Sequence, residues 1–211
     1  MILSIPHPNI YHVRFSTQYE MCITLLRIQE FYESPYKEIN GKYFTLEDFI
    51  DRYVKDNNKF DYCEKWNGFN FPDTTLQNFC KIYKNKLRTK EKDFLHLLGI
   101  KKIKNPYYLI ATCDDITIKH ETAHAFYYLY PDYKKTINSL IKELDQDLII
   151  TYKKRLLEME YCPKVLLDEI QAYILDGIEY KQDILLCKDL TPELEKIYTK
   201  FNNIYLDYLN G

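Results

Sequence analysis

The stretch from Tyr107 to Pro131, YYLIATCDDITIKHETAHAFYYLYP, constrains this chain most, because it carries His120-Glu121-Thr122-Ala123-His124. A helix has about 3.6 residues per turn, so side chains at i and i+4 lie one above the other on the same face. Two imidazoles placed that way can occupy two corners of a metal tetrahedron. Glu121 sits about 100° round the helix from His120. That places it beside such a metal without being needed as a ligand, where its carboxylate could take a proton from an activated water.

The flanking residues supply the context that this arrangement requires. Tyr107 to Thr112 is a β-branched and aromatic run that reads as a strand. Asp114 and Asp115 follow as N-cap residues that also suit the positive end of a helix. Ile116, Thr117, His120, Ala123, His124 and Tyr127 recur at helical spacing, so the histidines fall on a largely apolar, inward stripe. Pro131 ends the helix. The competing reading makes both histidines core residues satisfied by hydrogen bonds, or places them in a polar groove without metal. The Glu between them favours the metal.

Length and composition are those of a globular protein, with 211 residues, 46% hydrophobic and 28% charged. We read one domain over 1–211, with a helical and aromatic N-terminal part at 1–105 and a motif-bearing part at 106–211. A net charge of −2 gives no reason to expect nucleic acid or an acidic membrane as partner. The N-terminus MILSIPHPNIYHVRF lacks a basic region before an apolar one, so no secretory signal is expected. No window approaches the roughly 18 apolar residues of a transmembrane helix. The six cysteines (Cys22, Cys63, Cys80, Cys113, Cys162, Cys187) form no C-x-x-C pair. They are expected to be reduced and packed, with the cytoplasm as the default compartment.

Along the chain, Tyr11 to Phe15 reads as a short strand, and Thr17-Gln18-Tyr19-Glu20 as a capping box opening a helix to Ser34, where Pro35 stops it. Asn40-Gly41 within Tyr36 to Phe44 signals a hairpin. Thr45 caps a helix to about Lys55, while Asn57 to Pro72 reads as an aromatic loop around Trp66. Asp73 or Thr74 opens a helix to Leu87, and Thr89 opens another ending at Gly99. His96, in this second helix, reads as a core or semi-buried residue. The run Lys101-Lys102-Ile103-Lys104 reads as a solvated turn. Helices are expected over Tyr133 to Gln146, Leu148 to Glu160 and Lys164 to Asp176, the last with Gly177 as C-cap. A final helix begins at Thr191-Pro192-Glu193. The fold class is α+β, predominantly α-helical, with a small mixed sheet.

Two histidines hold zinc poorly alone, and catalytic sites supply three protein ligands with a fourth position open. No third histidine is spaced for this, which leaves a carboxylate. Glu169, in Asp168-Glu169-Ile170-Gln171-Ala172-Tyr173, is the best candidate. An inward carboxylate among Val165, Leu166, Ala172 and Tyr173 would be costly to bury unpaired, and a metal would remove that cost. The alternative is that Glu169 faces solvent or caps another group.

HETAH at 120–124, followed by a helical E-x-x-A at Glu169 to Ala172, resembles the gluzincin branch of the zincin metallopeptidases. The resemblance covers roughly Tyr107 to Gly177. It implies a zincin-like core, Zn2+ held by His120, His124 and Glu169, and Glu121 as general base and proton shuttle. It also implies a cleft beneath an edge strand, here Tyr107 to Thr112, that pairs with an extended peptide. Tyr127 and Tyr130 stand where the metzincin motif requires Gly and His, which excludes that branch. Where the thermolysin-like pattern has an Asp four residues after the ligand Glu, this chain has Tyr173. Asp168 or Asp176 could supply that histidine-orienting bond. Tyr161, Tyr173 and Tyr180 are candidate oxyanion donors.

The expected function is that of a zinc-dependent hydrolase, a metallopeptidase acting on a peptide or protein. One alternative is a catalytically inactive zincin-like binding or effector protein. Another is a helical interaction module in which HETAH is accidental.

Overall fold

The computed structural model of the chain describes residues 1–99, 106–176 and 192–211. It begins with a strand beyond the sequence expectations, β1 (Ile2–His7), turned through Pro8 and Asn9 into β2 (Ile10–Arg14). Asn9 adopts φ 64, a left-handed conformation that Asn tolerates better than most residues. With β3 (Gly68–Pro72) and β4 (Tyr108–Thr112) these form a four-stranded sheet in the order β1-β2-β4-β3. The β2–β4 pair is parallel and the other two pairs are antiparallel, so the sheet is mixed. The fold is α+β and predominantly helical.

This order corrects the expectation that Tyr107 to Thr112 forms an edge strand. Strand β4 is interior, with β2 hydrogen-bonded along one side and β3 along the other. Its backbone groups are already paired and cannot accept a peptide. Two further expectations change. The aromatic loop at Asn57 to Pro72 contains the short helix α3 (Tyr62–Lys65) and strand β3, in which Phe69 and Phe71 enter the core. Asn70 lies between them and its side chain accepts from the Tyr108 hydroxyl at 2.5 Å. Asn40-Gly41 forms a turn and not a hairpin. Gly41, at φ 71, donates to the Phe31 carbonyl at 2.8 Å, and the Asn40 amide donates to the carbonyls of Tyr32 and Ser34. These contacts satisfy carbonyls at the end of the first helix that would otherwise lack partners.

That helix, α1 (Gln18–Glu33), is capped by Thr17, whose hydroxyl accepts from the Glu20 N–H. It buries Met21, Leu25, Ile28 and Phe31 against the sheet and its neighbours α3, α4 (Asp73–Tyr83) and α5 (Thr89–Leu98), and α2 (Leu46–Asn57) adds Phe49 and Tyr53 to the same core. Thr45 and Asp48 form the capping box of α2, and Gly99, at φ 59, is the C-cap of α5. His96 is exposed on α5 and not semi-buried. Cys22 and Cys63 are joined by a disulfide, which overturns the expectation that all six cysteines are reduced. The bend of the chain brings their Cα atoms to 5.3 Å across 41 residues, a proximity that local spacing does not signal. With that pair bridged, cysteine usage no longer points to the cytoplasm. Cys80, Cys113 and Cys162 are free thiols.

The chain divides into two compact units, Met1–Ile118 and Lys119–Gly211. The second is helical: α6 (Ile118–Leu129, entering from its first residue), α7 (Pro131–Glu143), α8 (Gln146–Glu158), α9 (Leu166–Leu175) and α10 (Pro192–Asn210). Pro131 is the first residue of α7, where its missing N–H costs nothing, and Asp145 caps α8. Helix α9 touches α7, α8 and α10. It is buried nearly all round, as a central helix must be. The expected Lys101–Lys104 turn, the caps at Gly177 and Thr191, Tyr180 and Cys187 lie outside the described residues. No helix among the described residues is long and apolar enough to cross a membrane.

In the first unit, Arg27 and Glu91 form a buried bidentate ion pair with contacts of 2.6 and 2.7 Å. The Tyr83 ring lies 4.6 Å from the guanidinium carbon, and Glu91 also accepts the Arg88 N–H at the start of α5. Glu91→Ala leaves the guanidinium buried and uncompensated, a loss of about 3–5 kcal/mol. Urea unfolding should show that loss, and a change below about 1 kcal/mol would contradict it.

Candidate metal centre

Asp114 orders the turn that leads into the helix carrying the motif. Its carboxylate accepts the Thr117 N–H at 2.8 Å and the Thr117 hydroxyl at 2.7 Å, just before the helix begins at Ile118. Asp115 pairs instead with Arg14 at 2.9 Å. Ile116 precedes the helix and is 64% exposed, so it is not part of the inward stripe expected for it. From His120 to Tyr127 every residue of α6 is buried, so the helix lies inside its surroundings on all sides. Phe126 anchors it among the rings of Tyr130, Tyr133, Tyr205 and Tyr208. The Lys119 ammonium donates to Asn202 at 2.7 Å.

On α9, Glu169 points inward and is 3% exposed, against 9% for His120 and 1% for His124. One ligand atom from each of the three lies within 4.8 Å of the others. The two Nε2 atoms are 3.1 Å apart. Glu169 Oε1 lies 3.6 Å from His124 Nε2, and Oε2 lies 3.7 Å from His120 Nε2. Bonds of about 2.0–2.1 Å to a tetrahedral ion imply ligand–ligand edges of about 3.3–3.4 Å, so these separations fit a shared ion with small adjustments.

The outer nitrogens are equally well defined. His120 Nδ1 lies 2.8 Å from Asp176 Oδ2, and His124 Nδ1 lies 2.8 Å from Asp168 Oδ1. An imidazole that donates through Nδ1 to a carboxylate keeps the Nε2 lone pair for a metal. Both acidic residues left open by the sequence therefore act, one on each histidine. Asp168 departs from Glu169 by about 100° round the helix, and this offset lets it reach the far side of His124. Asp176, two turns along from Glu169, reaches His120.

Glu169 Oε2 is buried with no hydrogen-bond partner among the described residues, which independently suits a cation at this point. Leaving such an atom unsatisfied costs about 1–3 kcal/mol, more when it is charged. A cation between the three side chains would remove that penalty. His, His and carboxylate are a donor set suited to a divalent transition metal. Glu121 is buried on the same helix, and its charge favours protonation of His120. Tyr173 packs edge-on to His120 with ring centroids 4.8 Å apart, and its hydroxyl lies 2.8 Å from that of Tyr161. Gln171 and Tyr133 also join the site's hydrogen-bond network, and neither carries a sequence signal, since an inward Gln or Tyr resembles ordinary core.

Burial pulls both imidazoles towards the neutral form, but the carboxylates overcome it. Asp176 and Glu169 hold His120 protonated well above the usual imidazole range, and Asp168 and Glu169 push His124 up to about 9. Raised values mean that this stabilisation is full below the unfolded value of 6.5 and is lost as pH rises through about 9. Metal-free protein should therefore lose stability over that range. The two Nε2 atoms lie 3.1 Å apart, within hydrogen-bond distance, so a proton sits between the rings where a shared metal would bind. A metal must displace that proton, so zinc uptake at pH 7 should release at least about one proton per ion. Calorimetry in buffers of different ionisation enthalpy reads this number directly, and a heat independent of buffer would contradict it. No protein-family model, no curated protein and no solved structure matches this chain.

Proposed function

We propose that this protein is a zinc-dependent hydrolase, a metallopeptidase of zincin-like architecture that cleaves an amide bond in a peptide or protein. The observation that carries the reading is the convergence of His120, His124 and Glu169, with an aspartate on the outer nitrogen of each histidine. Glu169 more than about 10 Å from the histidines would favour an accidental HETAH, being well beyond any shared ion with bonds of about 2 Å. It lies 3.6 and 3.7 Å from the two histidines.

Zinc held by these three residues supplies Lewis acidity, enough to make water a nucleophile near neutral pH. Asp168 and Asp176 keep the two Nε2 atoms aimed at one point. Glu121 is the only acidic residue of α6, and it follows His120 directly. In this reading its carboxylate takes the proton from the attacking water and delivers it to the leaving amine. Tyr173 is the donor for the oxygen that gains charge. Burial pushes its phenol up to about 12, so it keeps its proton through the reaction. Its contact with His120 distinguishes it from Tyr161, whose hydroxyl reaches the site through it.

The test is turnover of a quenched-fluorescent peptide library by wild type and Glu121→Gln. The amide is nearly isosteric and leaves the three ligands untouched, so zinc content should stay the same while cleavage falls about 10²–10⁴-fold. A zinc-loaded wild type that cleaves no peptide, with Glu121→Gln silent in every assay, would support the inactive binding or effector protein instead.

A further inference from the structure

Behind Asp168 the hydrogen bonding continues into the core of the second unit. Gln171 Nε2 donates to Asp168 Oδ1 at 3.1 Å, and the Tyr133 hydroxyl donates to Gln171 Oε1 at 3.0 Å. Tyr133 and Gln171 are both fully buried. The chain of bonds therefore runs from α7 through α9 to the histidine helix α6, ending at His124 Nδ1, 2.8 Å from Asp168. Interior hydrogen bonds of this length that close a network hold their members in single orientations.

Resting on the metal-centre reading above, we propose that Tyr133 and Gln171 are positioning residues: through Asp168 they fix which nitrogen of His124 faces the metal. The logic lies in the donor inventory. A phenol that keeps its proton donates to the amide oxygen, which turns the amide NH2 group towards Asp168. A flipped amide would set its oxygen against the carboxylate, acceptor against acceptor. A carboxylate of Asp168 can only accept. Its Oδ1 takes the Gln171 amide N–H and lies 2.8 Å from His124 Nδ1, so it accepts Nδ1–H as well and the Nε2 lone pair is left for the ion. The ligand is thus oriented by a hydroxyl three hydrogen bonds away, on a helix that contributes no ligand.

Two variants remove the relay with little change of shape. Gln171→Met keeps the length of the side chain and loses both polar groups. Tyr133→Phe removes a single oxygen. Zinc affinity, measured by competition with a chromophoric chelator at fixed pH, should weaken about tenfold in Gln171→Met, the low end for partners beyond the ligands. Tyr133→Phe should weaken it several-fold. The double variant should match Gln171→Met alone, because Tyr133 acts only through Gln171. Long-range 1H–15N NMR of zinc-loaded wild type should find His124 protonated at Nδ1, with line broadening or a second tautomer in the variants. Circular dichroism melting guards against simple unfolding. Unchanged affinity in Gln171→Met alongside a lowered melting temperature would reduce these residues to core packing and overturn the inference. So would losses that multiply in the double variant. Wild type that binds no zinc would instead overturn the metal reading, and the relay with it.

Discussion

Three ionisable side chains share one small volume inside a helical core, and the second unit is organised around making that tolerable. Each of His120, His124 and Glu169 is less than a tenth exposed. Burying any of them alone would cost several kcal/mol. Asp168 and Asp176 each lie 2.8 Å from the outer nitrogen of one histidine and favour its charged form. The two Nε2 atoms are left 3.1 Å apart, and one carboxylate oxygen of Glu169 has no hydrogen bond among the described residues. A divalent ion between the three side chains would answer both features at once.

The helices show why the cluster can form. Helix α9 carries the candidate ligand Glu169 with Asp168 directly before it, and Asp176 is its C-cap two turns on. Neighbours on three sides, α7, α8 and α10, hold that helix in place, and Tyr133 of α7 reaches in to brace it. The first unit is built on different physics. Its sheet and helices enclose a core rich in aromatic rings, crossed by one buried ion pair between Arg27 and Glu91 and tied by the Cys22–Cys63 bridge.

Much of the site was legible because helical spacing is local information. The i, i+4 histidines, the Glu between them and the isolated inward Glu169 can each be read within one or two turns of chain. The caps at Thr17, Thr45 and Gly99 were legible for the same reason. What could not be read was partner choice over distance. Tyr107 to Thr112 reads correctly as a strand, but its interior place depends on β2 and β3, far away in sequence. Asn40-Gly41 carries a strong turn signal, yet only tertiary context decides between a hairpin and a helix end. Cys22 and Cys63 show no motif, and their pairing follows from how α1 and α3 pack. The choice between Asp168 and Asp176 could not be made from sequence because both are used, each on a different histidine.

The most direct test of the central claim is metal analysis of purified wild type beside His120→Ala and Glu169→Ala. If the three residues form one site, wild type carries about one zinc per chain and both variants lose it, since each ligand supplies one of three protein bonds. Zinc absent from wild type even after reconstitution, or retained at full occupancy in both variants, would contradict the account.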